Sequence, residues 1–193
     1  EPTYGQVMLP YNRCISRFAS KNPANDGLTI PGSVAIDVVP VSEGTGDVIA
    51  GNPDLCVDAK SGTPWVRKVI FGMEDDTPEV TMDVTITIPT VFASDANLLT
   101  IVPSPAGEVD ILNIQYSTTT NPPSTQLPGF EAVEGVSAYR IHFSDLSITQ
   151  LTIRLRQRHF IFEEAEKVFL YGLKEVGLYL VELEKTAAGY DTP

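Results

Sequence analysis

The sequence predicts an all-β chain folded as a β-sandwich. Three observations lead there. "EVTMDVTITIP" places Val80, Met82, Val84, Ile86 and Ile88 on one face of a strand and Thr81, Asp83, Thr85 and Thr87 on the other, the period of two that a half-buried strand requires. Short apolar segments of the same kind recur along the chain, separated by Pro- and Gly-rich connections such as "PSPAG" and "STTTNPPSTQLPG". No long amphipathic helix lies between them, so their apolar faces are best covered by a second sheet.

Taken in order, residues 1–32 form an irregular arm. Pro10, Pro23, Gly27, Pro31 and Gly32 interrupt any period, although Cys14–Phe18 suits one turn of helix. The arm either covers its own domain or inserts into a neighbouring subunit. A domain over residues 33–185 begins with the strand "SVAIDVVPV", followed by the polar, Gly-rich loop "SEGTGDVIAGNPD". After the strand at 79–89 come "LLTIV", "EVDILNIQYS", "AYRIHF" and "LTIRLRQRHFIF". In "KVFLYGLKEVGLYLVELEK", Gly172 and Gly177 weaken a helix interior, and Val168, Tyr171, Val176, Tyr179 and Leu183 make no single helical stripe. Strands suit it better: Lys167–Tyr171 pairing back across "EEAEK", and a second from Gly177 to Glu184 with apolar residues on both faces, as in a covered strand. Residues 186–193 are a flexible tail.

The chain has 193 residues, 42% of them hydrophobic, enough for a sizeable core. Its net charge of −12 sets an unfavourable field for nucleic acid. No apolar run approaches the roughly 18 residues of a spanning helix, so membrane insertion is not expected. The chain begins at Glu1 with no visible signal peptide, which suits an excised or processed fragment. Cys14 and Cys56 can form one bridge, but two distant cysteines in a chain of this size read first as buried thiols.

Catalysis finds little support. His142 and His159 are the only imidazoles, each inside a strand and neither in the setting of a nucleophile's base. The acidic clusters "MEDDTPE" and "FEEAEK" read as exposed turns, and phosphate-binding glycine motifs are absent. The chain is therefore expected not to be an enzyme. One charged feature stands out: Arg154, Arg156 and Arg158 alternate with Leu151, Ile153 and Leu155, so they share the outer face of one strand, and Arg140 with His142 extends that face if "AYRIHF" lies beside it. Cross-strand pairing with acidic neighbours accounts for such a stripe. A docking face for an acidic partner is the sharper alternative.

"CVDAKSGTPWVRKV" carries a family resemblance. Asp58, Thr63 and Trp65 match the spacing of the D-G-D-x-x-T-x-W signature, so the chain resembles discoidin-like jelly rolls, also called galactose-binding-like domains. "VTITIP", "EVDILNIQYS", "AYRIHF" and "GLKEVGLYL" follow in the family's order, over roughly residues 33–185. The resemblance implies that Trp65 is a core residue beneath a loop that Asp58 and Thr63 hold, rather than a sugar-stacking platform. It also implies a structural calcium, with Asp58 and Glu175 in the ligand positions. The family's Gly is Ala59 here and its second acid is Lys60, and a cation where an oxygen ligand belongs speaks against calcium. Asp58 capping the turn, with Glu175 solvated or paired to Lys60, is the preferred reading.

Two functions follow. "LTIRLRQRHFIFEEAEKVFLYGLKEVGLY" resembles jelly-roll modules of tailed-phage virion proteins, which implies a structural or assembly module of a virion's tail, baseplate or neck, binding other virion proteins or copies of itself and contributing to host attachment. The alternative is an extracellular carbohydrate-binding module of an adhesin or secreted glycosidase. Candidate sugar loops are Glu43–Asp54, Ser61–Pro64 and Ser117–Gly129, but none carries the aromatic cluster on which a pyranose stacks. That lack favours assembly.

Overall fold

The fold was obtained as a computed structural model, which describes residues 11–16, 35–42, 47–50, 56–57, 65–74, 80–88, 95–121 and 125–183. They form twelve strands in chain order: β1 (Tyr11–Ser16), β2 (Ala35–Ser42), β3 (Asp47–Ala50), β4 (Trp65–Gly72), β5 (Val80–Thr87), β6 (Ala96–Ser104), β7 (Val109–Ser117), β8 (Thr125–Gln126), β9 (Tyr139–Leu146), β10 (Gln150–Gln157), β11 (Ile161–Glu163) and β12 (Glu166–Leu183). One sheet has the order β3-β4-β12-β6-β9, with β1 and β11 also paired to β12; the other runs β2-β5-β10-β7-β8. Every pairing is antiparallel. No helix among the described residues is long and apolar enough to cross a membrane.

The expected β-sandwich is what the chain builds. Val80, Met82, Val84 and Ile86 of β5 are fully buried and lie beside Leu151, Ile153 and Leu155 of the neighbouring β10, also fully buried, on the inner face of one sheet. The opposing sheet contributes Trp65, Val69 and Phe71 from β4 and Phe169, Tyr171 and Leu173 from β12. Phe71 and Phe169 meet edge to face, with ring centroids 5.5 Å apart.

Several elements differ from the expectation. Tyr11–Ser16 of the arm is a strand, not a turn of helix: it pairs with the C-terminal end of β12, where backbone hydrogen bonds along a sheet edge outweigh weak local helix preference. The loop 43–54 contains β3, paired with β4. "LTIRLRQRHFIF" is not one strand, because the chain leaves β10 at Gln157, crosses between sheets over residues 158–160 and enters β11 in the other sheet. The two strands expected near the C-terminus are one, β12, continuous from Glu166 to Leu183. A bulge between Leu173 and Glu175 changes its register against β6.

Trp65 is completely buried, as the core role implies. Removing roughly 150–250 Å² of indole from water is worth about 4–6 kcal/mol. Its Nε1 is buried and finds no acceptor among the described residues, a cost of about 1–3 kcal/mol, so burial wins. Asp58 and Thr63, the residues expected to hold the loop above it, lie outside the described residues. Cys56 is a buried thiol.

Two close fits hold the sheets. Gly172 of β12 faces Val66 of β4, and a Cβ at this position would run into the Trp65 carbonyl oxygen and the Val66 backbone. Tyr139, at the start of β9, reaches the other sheet: its hydroxyl accepts from the Ile111 N–H of β7 at 3.4 Å and donates to the Val133 carbonyl at 2.9 Å. Burial, opposed in part by the Ile111 hydrogen bond, raises the Tyr139 pKa above the ordinary tyrosine value.

Gly172→Ala is expected to cost about 1–3 kcal/mol as an overpacked contact, lowering Tm by roughly 3–10 °C for a chain of this length; calorimetry showing an unchanged Tm would contradict the close approach. Since the fold raises the pKa of Tyr139, its stabilising contribution is complete below the unfolded value near 10 and is lost as pH climbs through the folded value. Urea unfolding at stepped pH should show stability falling above about pH 10 at up to roughly 1.4 kcal/mol per pH unit for this group. Tyr139→Phe should start less stable at pH 7 and fall less steeply, whereas parallel curves would rule out a tyrosinate penalty at this position.

Candidate functional site

The arginines come first, since they are the charged feature of the sequence. Arg154 lies in register with Asp83 on β5. Its Nε and Nη2 donate to the two carboxylate oxygens at 2.8 and 3.0 Å, a bidentate pair, and the Asp83 hydrogen bond raises the arginine's pKa. Arg156 lies in register with Asp110 on β7. It reaches Asp110 Oδ2 at 3.5 Å and Glu134 Oε1 at 3.1 Å. Arg158 reaches Asp110 Oδ2 at 3.0 Å and Glu134 Oε2 at 3.1 Å, and the Glu134 contact does most to raise its pKa. Asp110 also accepts the Gly135 N–H through Oδ1 at 3.1 Å, and Gly135 takes a φ of +73°, which suits glycine. One buried carboxylate thus latches the 133–135 turn onto β10. The stripe pairs across strands, within the chain.

Arg140 and His142 do not extend it. They sit on β9, in the other sheet from β10, and both are exposed. Of the metal-site pair, Asp58 lies outside the described residues, as does Lys60. Glu175 stands at the β12 bulge, half-buried, with Oε2 enclosed. Among the described residues no group of three His, Cys, Asp or Glu gathers as a metal site. Of the candidate sugar loops, 61–64 lies outside the described residues, and 117–129 contains β8.

The structure offers a different site, at the end of the sandwich where β7 and β12 begin and β10 stops. Gly72–Val66 of β4 occupies one edge of β12 along Glu166–Gly172. The opposite edge is shared: β11 pairs with Glu166–Val168, and β6 resumes only at Gly172. The gap between them opens a notch of about 160 Å³. Its apolar walls are Pro105, Phe160, Ile161, Val168 and Leu170; its polar atoms come from Glu108, Gln157 and His159. The crossing 158–160 therefore brings residues of both sheets to one opening.

Apolar exposure is concentrated here. Phe162 is 62% exposed, Ile161 51% and Leu170 41%, and patches of this kind on a folded surface mark interaction sites. Phe160 meets Phe162 edge to face at 5.0 Å and packs against Phe169 of the core at 5.6 Å, while Lys167 Nζ stands 5.7 Å from its ring centroid. Gln157 is only 2% exposed. Its Oε1 accepts the His159 N–H at 3.1 Å, and Nε2 meets no acceptor among the described residues.

Sequence reasoning passed over these residues because it looked for aromatics in long loops. A signal was present: in the inward series Leu151, Ile153, Leu155, Gln157, the last position is polar, and a polar side chain placed inward needs a partner. The aromatic pair follows it directly, in "HFIF".

No protein-family model and no curated protein matches the chain. Among solved structures it is similar to a GH29 fucosidase of Ruminococcus gnavus in complex with fucose, at 12% identity and a TM-score of 0.47, over 78% of this chain and 26% of that one. It is also similar to a CBM32 module of Clostridium perfringens in complex with GalNAc-beta-1,3-galactose, at 13% identity and 0.39, over 76% and 95%. A third is a chitosan-binding module from a Paenibacillus chitosanase/glucanase, at 12% and 0.38, over 69% and 94%. The chain spans about a quarter of the fucosidase's length. At these identities and scores the likeness assigns this chain no ligand.

Asp110→Ala should destabilise the fold by about 2–4 kcal/mol, because it strips a buried carboxylate from its donors. Asp83→Ala, which breaks a pair whose arginine is 42% exposed, should cost at most about 1 kcal/mol. Denaturant midpoints of the two variants measure the difference; equal losses would remove the latch.

Proposed function

We propose that the chain is a non-catalytic carbohydrate-binding module that takes a sugar residue in the notch between β6 and β11. One observation carries this reading: exposed Ile161 and Leu170 and half-buried Phe160 line a notch that also holds a buried polar residue, Gln157, whose amide donor has no acceptor among the described residues. A pyranose has an apolar face and directional hydroxyls, so it is bound by apolar surface beside a few fixed polar atoms. His159 and Glu108 supply further polar contacts at the rim.

In the sequence, virion assembly rests on the fold, the missing catalytic set, the acidic surface and the sequence texture, with the lack of an aromatic platform in its favour and an arginine docking face as the sharper alternative. The arginines are committed to Asp83, Asp110 and Glu134, and Phe160, which lines the notch, meets Phe162 edge to face. Both considerations now favour the carbohydrate reading, with an extracellular location. No step of it passes through a metal.

The notch is small. A sugar of about 15 heavy atoms at roughly 0.3 kcal/mol per atom binds near 0.5 mM, so ligand-observed NMR is the suitable method. Monosaccharides at roughly ten times that concentration should give saturation transfer from the protein. Ile161→Ser and Leu170→Ser remove exposed apolar walls and should weaken binding about fivefold or more with little change in Tm. Absence of transfer from every neutral sugar, or binding indifferent to both variants, would refute the notch as a sugar site.

A further inference from the structure

We infer that the notch selects an acetamido group: the sugar it takes is an N-acetylated amino sugar, held through its N-acetyl group. The inference rests on the carbohydrate reading and specifies its chemistry. At about 160 Å³ the notch displaces roughly five waters, space for one substituent and part of a ring rather than an oligosaccharide. Five of its eight lining residues are apolar, so a group dense in hydroxyls would leave most of them facing carbon. An acetamido group offers a methyl for those walls and one strong carbonyl acceptor.

The protein supplies the matching donor. Gln157 is 98% buried, and its Oε1 is taken by the His159 N–H. The polar atom that remains is the Nε2 amide, a donor only. Nε2 is not among the enclosed polar atoms without a partner, so it opens to solvent on an otherwise buried side chain, and there an amide carbonyl, a stronger acceptor than a hydroxyl, can take the place of water. The His159 hydrogen bond fixes the amide's orientation, so the donor is presented without conformational loss on binding. The acetamide N–H then lies towards the rim, where Glu108 offers an acceptor.

The experiment compares N-acetylglucosamine and N-acetylgalactosamine with glucose and galactose by NMR titration of the full chain, together with acetyl-lysine as a non-sugar acetamide. Acetamido sugars should bind at least tenfold more tightly than the parent hexoses, with the acetyl methyl giving the strongest saturation transfer. Gln157→Glu keeps the oxygen that accepts the His159 N–H but replaces the donor with a second acceptor, and should weaken acetamido-sugar binding about tenfold; unchanged acetamido-sugar binding in this variant would overturn the role of the Gln157 donor. Hexoses binding as well as acetamido sugars would overturn the inference and leave the carbohydrate reading standing. Acetyl-lysine binding while no sugar binds would overturn the carbohydrate source. No binding of any of these ligands would overturn both. Should Gln157→Glu fold poorly, the ligand series on the unaltered chain decides by itself.

Discussion

The seven-stranded sheet depends on β12. Eighteen residues of continuous strand pair with β4 on one edge, with β11 and β6 on the other, and with β1 near the C-terminal end. A single strand can serve so many neighbours only if it stays extended while its register shifts, and the bulge between Leu173 and Glu175 provides that shift. Gly172, just before it, lets the β4 backbone come close enough for Trp65 to sit wholly inside the core. The notch follows from the same strand, since it is the stretch of β12 edge that neither β11 nor β6 covers.

The polar side of the sandwich obeys a different rule. On the outer face of β10, each of the first two arginines lies in register with a carboxylate on a neighbouring strand: Arg154 beside Asp83 of β5, and Arg156 beside Asp110 of β7. Asp110 is buried, so it must be paired, and it is paired twice over while also accepting the Gly135 N–H. Positive charge that reads as surplus in one dimension is spent on holding a turn in three.

Much of the fold was legible in the sequence, because the alternation in β5 and β10 is regular and alternation reports a strand with one buried face. What escaped was set by pairing across the chain. The strands at 11–16 and 47–50 escaped because β1 and β3 gain their hydrogen bonds from distant partners, β12 and β4, that no local window contains. The break after Gln157 is hidden because the alternating pattern continues while the chain changes sheets. The arginine pairing was legible as chemistry but not as geometry: Asp83 and Asp110 become partners only once β5 and β7 flank β10, and Arg140 drops out only once β9 is assigned to the other sheet. Trp65 proved to be core, whereas Asp58, Thr63 and the calcium question rest on residues outside those described.

The position of β12 along the chain sets an order of assembly. Its partners β1, β4 and β6 all precede it, β1 by well over a hundred residues, so their contacts with it close long loops, and such contacts form late. The central pairings of the other sheet, β5 and β7 with β10, are complete once residue 157 has been made. A nascent chain therefore holds one sheet whose apolar face has no opposing layer until residues 166–183 emerge, and any truncation before that point leaves β4 and β6 without the strand that lies between them.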